Sequence, residues 1–392
     1  MARPGGLGRI ALALGVAVMG VWVGTQSLGV YVGRTDPQAA GSLNRSNAQI
    51  LGLRAYTDLQ AGDLATSRRL ALKALRRDPT VLPAVQALGL IAGSAGDMKS
   101  AATLLAYAEQ LSRRNLQTHL WAIEYRVAQG DVVGALDSYD RALRTSIAAR
   151  DILFPVLGSA ASDPTVAWQL AKRLGRKPLW YDAFLWFVGS DPQVQPTTAV
   201  RLFTMANRAG APLQSAALSA LISRSLDIQQ YDAAWAAYAL LRPGADRSHV
   251  RDPGFRHLPD IPAAFDWTLA SDGSIQAQND SGYLEVEAGS GTTGIAVQQR
   301  QMLPAGHYQL IVDNSPVPVG GALTWSLTCQ NGAQLTRLLI TARTGSRSTS
   351  PAFVVSDLCP VQNLALTMDA SESPSGLQVV IKQARIVRLP AH

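Results

Sequence analysis

Residues 82–115 read LPAVQALGLIAGSAGDMKSAATLLAYAEQLSRRN, and the chain on either side repeats their pattern. Gly96-Asp97 within this stretch stands 34 residues after Gly62-Asp63 and 34 before Gly130-Asp131. The same offset joins Ser67 to Ala101 to Ala135 and Ala74 to Ala108 to Ala142, and it separates Ala55 from Gly89. Small side chains at fixed helical positions let two helices cross closely, and a Gly-Asp pair makes the turn between them. A period of this length predicts stacked helical hairpins, each burying its apolar face on the next.

The register resembles the tetratricopeptide repeat, a helix-turn-helix unit of about 34 residues. Small residues fall at its eighth, twentieth and twenty-seventh positions, Tyr139 at the twenty-fourth and Pro79 at the thirty-second. Arg113, Ile147 and Ile123 depart from the pattern. The resemblance gives regular repeats at 48–81, 82–115 and 116–149. It implies a peptide groove lined by Gln49, Gly52, Tyr56, Leu59, Pro83, Gln86, Leu90, Gly93, Gln117, Leu120, Glu124 and Val127. That set is mostly uncharged, which suits an apolar or mixed peptide better than an acidic tail.

Residues 150–242 stay helical in pattern without the strict period. Ser162-Asp163-Pro164 and Asp191-Pro192 read as helix starts and Gly175 as a stop. Trp180, Phe184 and Phe187 fall at helical spacing, as core between helices or as a ligand cage. Residues 42–242 together predict a right-handed stack of about six helical hairpins.

Toward the N-terminus, residues 10–33 carry no charge and follow Arg3 and Arg9. As a helix this stretch would be ~36 Å long, enough to cross a ~30 Å hydrocarbon core. Positive residues before it predict a cytoplasmic segment 1–9 and an exported remainder. Ser27-Leu28-Gly29 is a poor cleavage site, which favours an uncleaved signal anchor over a removed leader. Gly20 and Gly24 have the spacing of a close-packing pair, a candidate homodimer face within the membrane.

Toward the C-terminus the period changes. Residues 243–262, with Pro243-Gly244, Pro253-Gly254, Pro259 and Pro262, read as a linker. Alternating stretches follow, such as Tyr283 to Ala288, Ala322 to Cys329 and Gln362 to Met368, separated by turn signals such as Asn331-Gly332. About eight short strands predict an antiparallel β-sandwich over 263–392. Phe265-Asp-Trp-Thr-Leu, Leu303-Pro-Ala-Gly-His-Tyr-Gln-Leu and the closing Val380-Ile-Lys-Gln-Ala-Arg-Ile-Val-Arg-Leu resemble framework strands of jelly-roll carbohydrate-binding modules. Trp267 and Trp325 are candidates for stacking on sugar rings, but both are flanked by alternating strand residues, which favours burial in the core. Cys329 and Cys359, the only cysteines, are expected to pair in an oxidising compartment.

The chain has 392 residues, 47% hydrophobic and 16% charged, which predicts two or three folded domains rather than disorder. No His-Glu-x-x-His, Gly-x-Ser-x-Gly or phosphate-loop motif occurs. Gly289-x-Gly291-x-x-Gly294 matches a dinucleotide fingerprint but precedes a strand pattern, where phosphate binding needs a helix start. Asp266, Asp272, Glu285 and Glu287 are the carboxylates available for glycoside cleavage, although an alternating, solvated strand face accounts for the glutamates. No catalytic residue, metal or cofactor is expected. The net charge of +7 rests on 30 Arg against 5 Lys. An exported location excludes nucleic acid.

The fold class expected is therefore multidomain α + β: a TPR-like α-solenoid, then a jelly-roll-like sandwich, with one N-terminal transmembrane helix. The function expected is a non-enzymatic scaffold in the bacterial inner membrane, its bulk in the periplasm, contacting envelope proteins through the repeats. Anchored repeat proteins of this plan resemble accessory subunits of polysaccharide assembly and export. In the alternative, the sandwich binds a polysaccharide and the repeats act as a spacer.

Overall fold

The computed structural model describes residues 46–280, 282–373 and 375–390. The span expected at 10–33, and Gly20 and Gly24 within it, lie outside the described residues. No helix among those described is long and apolar enough to cross a membrane. Among the described residues, twelve helices precede two antiparallel sheets, an α + β architecture. The chain divides into two compact units, one reaching Leu157 with Pro178–Trp180, the other holding Gly158–Lys177 and the chain from Tyr181 onward.

In the first unit α1 (Ala48–Gln60) packs on α2 (Leu64–Leu75), α3 (Leu82–Ser94) on α4 (Met98–Leu111) and α5 (Leu116–Ala128) on α6 (Val132–Thr145). The Gly-Asp period explains each turn. Gly62, Gly96 and Gly130 hold φ of 85°, 80° and 71°, a left-handed conformation that a side chain disfavours. Asp63, Asp97 and Asp131 then cap the second helices, accepting hydrogen bonds from the amides of Thr66, Ser100 and Gly134. The small columns are the contact surfaces: Ala55, Ala74, Ala101, Ala108 and Ala142 are fully buried. Ser67 is buried too, and its hydroxyl donates to the Ala55 carbonyl at 2.7 Å. Trp180 closes this unit, its indole N–H donating to Asp140 at 2.9 Å. Helix α7 (Ala149–Ala160) runs across the division between the units.

In the second unit alternate helices pack on one another, and the last two, consecutive in the chain, also pair. Helix α8 (Pro164–Leu174) meets α10 (Pro196–Arg208), which meets α12 (Tyr231–Leu241), while α9 (Tyr181–Ser190) meets α11 (Ser215–Asp227). Asp163 caps α8 with Pro164 at its first position. The start expected at Asp191-Pro192 is instead a turn, with Asp191 accepting from the Gln193 amide, and α10 begins at Pro196. Two turn-forming prolines lie within five residues there, and the one followed by an apolar helical face takes the start. Phe184 is fully buried and Phe187 half-buried, as helix-pair core.

The strands are β1 (Thr268–Leu269), β2 (Ser271–Asp272), β3 (Ile275–Asp280), β4 (Tyr283–Ala288), β5 (Thr293–Gln301), β6 (Gly306–Asn314), β7 (Ala322–Cys329), β8 (Gln334–Thr341), β9 (Arg347–Thr349), β10 (Phe353–Val355), β11 (Gln362–Asp369) and β12 (Leu377–Arg388). One sheet runs β1-β5-β11-β7-β8; the other runs β10-β6-β12-β4-β3-β2, with β9 also paired to β6. Their inward residues, among them Leu284, Val286, Leu310, Leu327, Leu366 and Ile381, form one core. Cys329 and Cys359 form a disulfide across 30 residues, with Cα atoms 5.5 Å apart.

The stretch 243–262 is not a free linker. Val250 and Phe255 are buried in the sandwich core, and the Pro253 carbonyl accepts from the Ala384 amide at 2.8 Å. Proline excludes helix from this stretch; its apolar side chains still find a core to fill. The loop holding Gly289 and Gly291 joins β4 to β5, and Gly294 lies in β5, so no helix N-terminus follows it.

Candidate functional site

The five-stranded sheet presents an outward face whose relief follows from residue size. Directly paired residues in an antiparallel sheet share a face, so the register lays out its rows. One row reads Arg300, Asn363, Thr328 and Gln334. The next reads Thr268, Gln298, Ala365, Ser326 and Arg337, and a third reads Ile295, Thr367, Thr324 and Leu339. The central strands β11 and β7 thus carry Asn, Ala, Thr and Ser, while β5 and β8 on either side carry longer side chains. The outcome is a shallow trough: a floor of hydroxyl, methyl and amide groups between walls that include Gln298, Arg300, Gln334, Arg337 and Leu339.

At the Arg300–Asn363 end the trough runs into a cleft of about 770 Å³. Its opposite side comes from Ser219, Ser223 and Asp227 of α11 and from Pro262 to Ala264, and its floor includes Gln298, Gln330, Asn363 and Cys329. The groups facing this cleft are mainly amides and hydroxyls. Behind it, Gln362 is fully buried, accepting from the Leu303 amide at 2.9 Å and donating to the Cys359 carbonyl. These bonds and the disulfide hold the segment entering β11 in place.

The helices of this unit are locked to the sandwich through one buried carboxylate. Asp266, 2% exposed, accepts from the Tyr238 hydroxyl at 2.7 Å, from the Arg242 guanidinium at 2.8 Å and from the Ala263 amide at 3.0 Å. Burial, and next the Asp266 carboxylate, push the Tyr238 hydroxyl well above the ordinary phenol range. Phe265 packs edge to face on both Trp235 and Tyr238 around this bond, and those two rings meet at a tilt. Asp266 is thus engaged in structural bonds on both of its oxygens. Glu285 and Glu287 lie on the outer face of the other sheet, where the Gln378 amide donates to both, at 2.6 and 2.9 Å.

The residues singled out from sequence divide between core and surface. Trp325 is fully buried and Trp267 nearly so; they meet edge to face at 6.2 Å inside the core, and neither offers a face to a sugar. Trp325 alternates with the outward Thr324 and Ser326, which puts its ring on the inward side of β7, whereas Trp267 immediately precedes β1. Gly52 is buried against Val81 and Ala84, where no side chain would fit. Gln86 is buried as well, donating to Asn115 at 2.7 Å and Thr118 at 2.9 Å, so it joins α3 to α5 rather than facing a groove. Gln49, Gln117 and Glu124 are exposed, and Tyr56, Leu59, Leu90 and Leu120 are half-buried. The trough was not singled out, although Thr324, Ser326 and Thr328 alternating with Leu323, Trp325 and Leu327 mark one floor strand.

No family model matches the chain, and no curated protein matches it. Among solved structures it is similar to a carbohydrate-binding module, TmCBM61, in complex with β-1,4-galactotriose, at 14% identity over 37% of this chain and 100% of that one, with a TM-score of 0.26. It is also similar to PilF of Pseudomonas aeruginosa, at 14% identity over 56% of this chain and 93% of that one, with a TM-score of 0.29. An arabinose-bound MgGH51 α-L-arabinofuranosidase shares 15% identity over 37% of this chain and 27% of its own, with a TM-score of 0.26. Likenesses this slight assign no function.

Proposed function

We propose that this protein is a non-enzymatic envelope adaptor, anchored in the inner membrane by its N-terminal segment, whose sandwich holds a glycan chain while its helical hairpins hold protein partners. The finer family readings belong to the same proposal: TPR-like hairpins in the first unit and a jelly-roll-like sandwich in the second. The observation that supports glycan binding is the trough, a long and open surface with a small, largely polar floor, bordered in its third row by Ile295 and Leu339. Amides and hydroxyls set at successive positions along two strands suit a hydroxyl-rich polymer that makes many individually weak hydrogen bonds. The protein-contact half of the proposal draws on the half-buried Tyr56, Leu59, Leu90 and Leu120 beside exposed Gln49, Gln117 and Glu124, a mixed surface suited to peptide.

The test is retention of the full chain, in detergent, on an array of immobilised polysaccharides. Selective retention is expected, and it should disappear in Ser326→Trp, which fills the trough floor while leaving the inward core untouched. Retention of no glycan, or equal retention of that variant with an unchanged unfolding midpoint, would sink the glycan reading. Crosslinking in cells would then decide whether partners are captured through the first unit alone.

A further inference from the structure

Resting on the glycan reading above, we infer that the trough takes an anionic polysaccharide, one whose carboxylates are bound by Arg300 and Arg337. The outward rows of the five-stranded sheet contain no aromatic residue at all among Thr268, the β5 positions 295, 298 and 300, and the facing positions of β11, β7 and β8. A neutral sugar there finds no ring to cover the apolar side of a pyranose, and its hydroxyls merely exchange water for protein hydrogen bonds. Selective binding then needs charge-assisted contacts, and the face supplies two. Arg300 stands on one wall and Arg337 on the other, three strand spacings apart, or ~14 Å between backbones.

Both arginines are exposed, and neither has a carboxylate within ion-pair distance among the described residues. A guanidinium presents a planar fork that matches a carboxylate, so each wall offers a bidentate seat. The floor between them is uncharged. Asp369, in the last row of the face, is already engaged by the Thr293 hydroxyl and the Ser371 amide, both at 3.0 Å. Asp227 lies across the cleft on α11, where its carboxylate would repel an acidic ligand. An acidic chain would therefore be steered off the helical side and onto the two walls.

The experiment measures affinity of the full chain for homopolymers of glucuronate, galacturonate, mannuronate and guluronate, each beside its methyl ester. At least one acid form should bind at least about tenfold more tightly than its ester and weaken as salt rises. Arg300→Gln and Arg337→Gln should each lower that affinity about tenfold without moving the unfolding midpoint. Equal binding of acids and esters, or unaltered binding in both variants, overturns the anionic inference and leaves the glycan reading in place. Retention of neither charged nor neutral polymers overturns both.

Discussion

A Cβ placed on Gly96 would meet nothing within 4 Å, yet the residue holds φ at +80°. Replacing it therefore probes backbone conformation alone. Gly96→Ala should destabilise the first unit by about 1 kcal/mol, read from urea unfolding. The neighbouring Asp97 gives a pH signature. Hydrogen bonds from the Ser100 side chain and amide hold its carboxyl below the ordinary value of 3.8. The folded-state value is thus the lower one, so this cap's contribution is present above pH ~4 and is lost as pH falls through the lowered value. Protection of the Ser100 amide from hydrogen exchange should fall across that window, and in Asp97→Asn the pH dependence should vanish. Both residues were legible in sequence because a left-handed turn and an N-cap are decided within four residues. Gln86 was not, since the partners that bury it stand 29 and 32 positions away.

At the scale of elements, helix α12 and the chain leading into β1 meet at Asp266. Asp266→Ala would leave the Arg242 guanidinium and the Tyr238 hydroxyl without their acceptor. Stranding a largely buried charge costs about 3–5 kcal/mol, which urea unfolding would register. Asp232→Ala is the control: Asp232 also pairs with an arginine, Arg247, at 2.9 Å, but its side chain is 92% exposed. Solvent screens that pair, and a loss of no more than ~1 kcal/mol is expected. Comparable losses in the two variants would show that the buried network contributes nothing special. The strands were readable from their alternation, and the same alternation puts Trp325 inside and Ser326 outside. The packed course of residues 243–262 was hidden because proline and glycine report only which conformations are excluded. Whether Val250 and Phe255 find a core depends on strands that lie tens of residues further on.

For the whole molecule, the helical half and the sandwich differ in how they are made stable. The hairpins rely on small residues at close crossings, each contact local in the chain. The sandwich joins distant strands and adds a covalent tie. Replacing Cys329 and Cys359 together by serine should cost about 3–4 kcal/mol by the loop-entropy argument, lowering the sandwich's unfolding midpoint while leaving that of the first unit unchanged. A reductant should have the same effect on the natural chain and none on the double variant. The trough's existence was implicit in the alternating threonines and serines. Its walls were not, because they depend on which strand lies beside which, and the order β5-β11-β7-β8 cannot be read from the chain order.

The bridge also changes what a cut would mean. It connects the end of β7 to the segment entering β11, the two strands that form the trough floor, so both ends of the intervening stretch, which carries β8, β9 and β10, are stapled together. A protease that nicks the backbone between residues 330 and 358 would leave one covalent molecule, its two floor strands still hydrogen-bonded side by side. The β8 wall would be freed at one end while the β5 wall kept its place. A clipped chain would thus remain one covalent molecule until it was reduced, with the floor and the β5 wall of the trough intact.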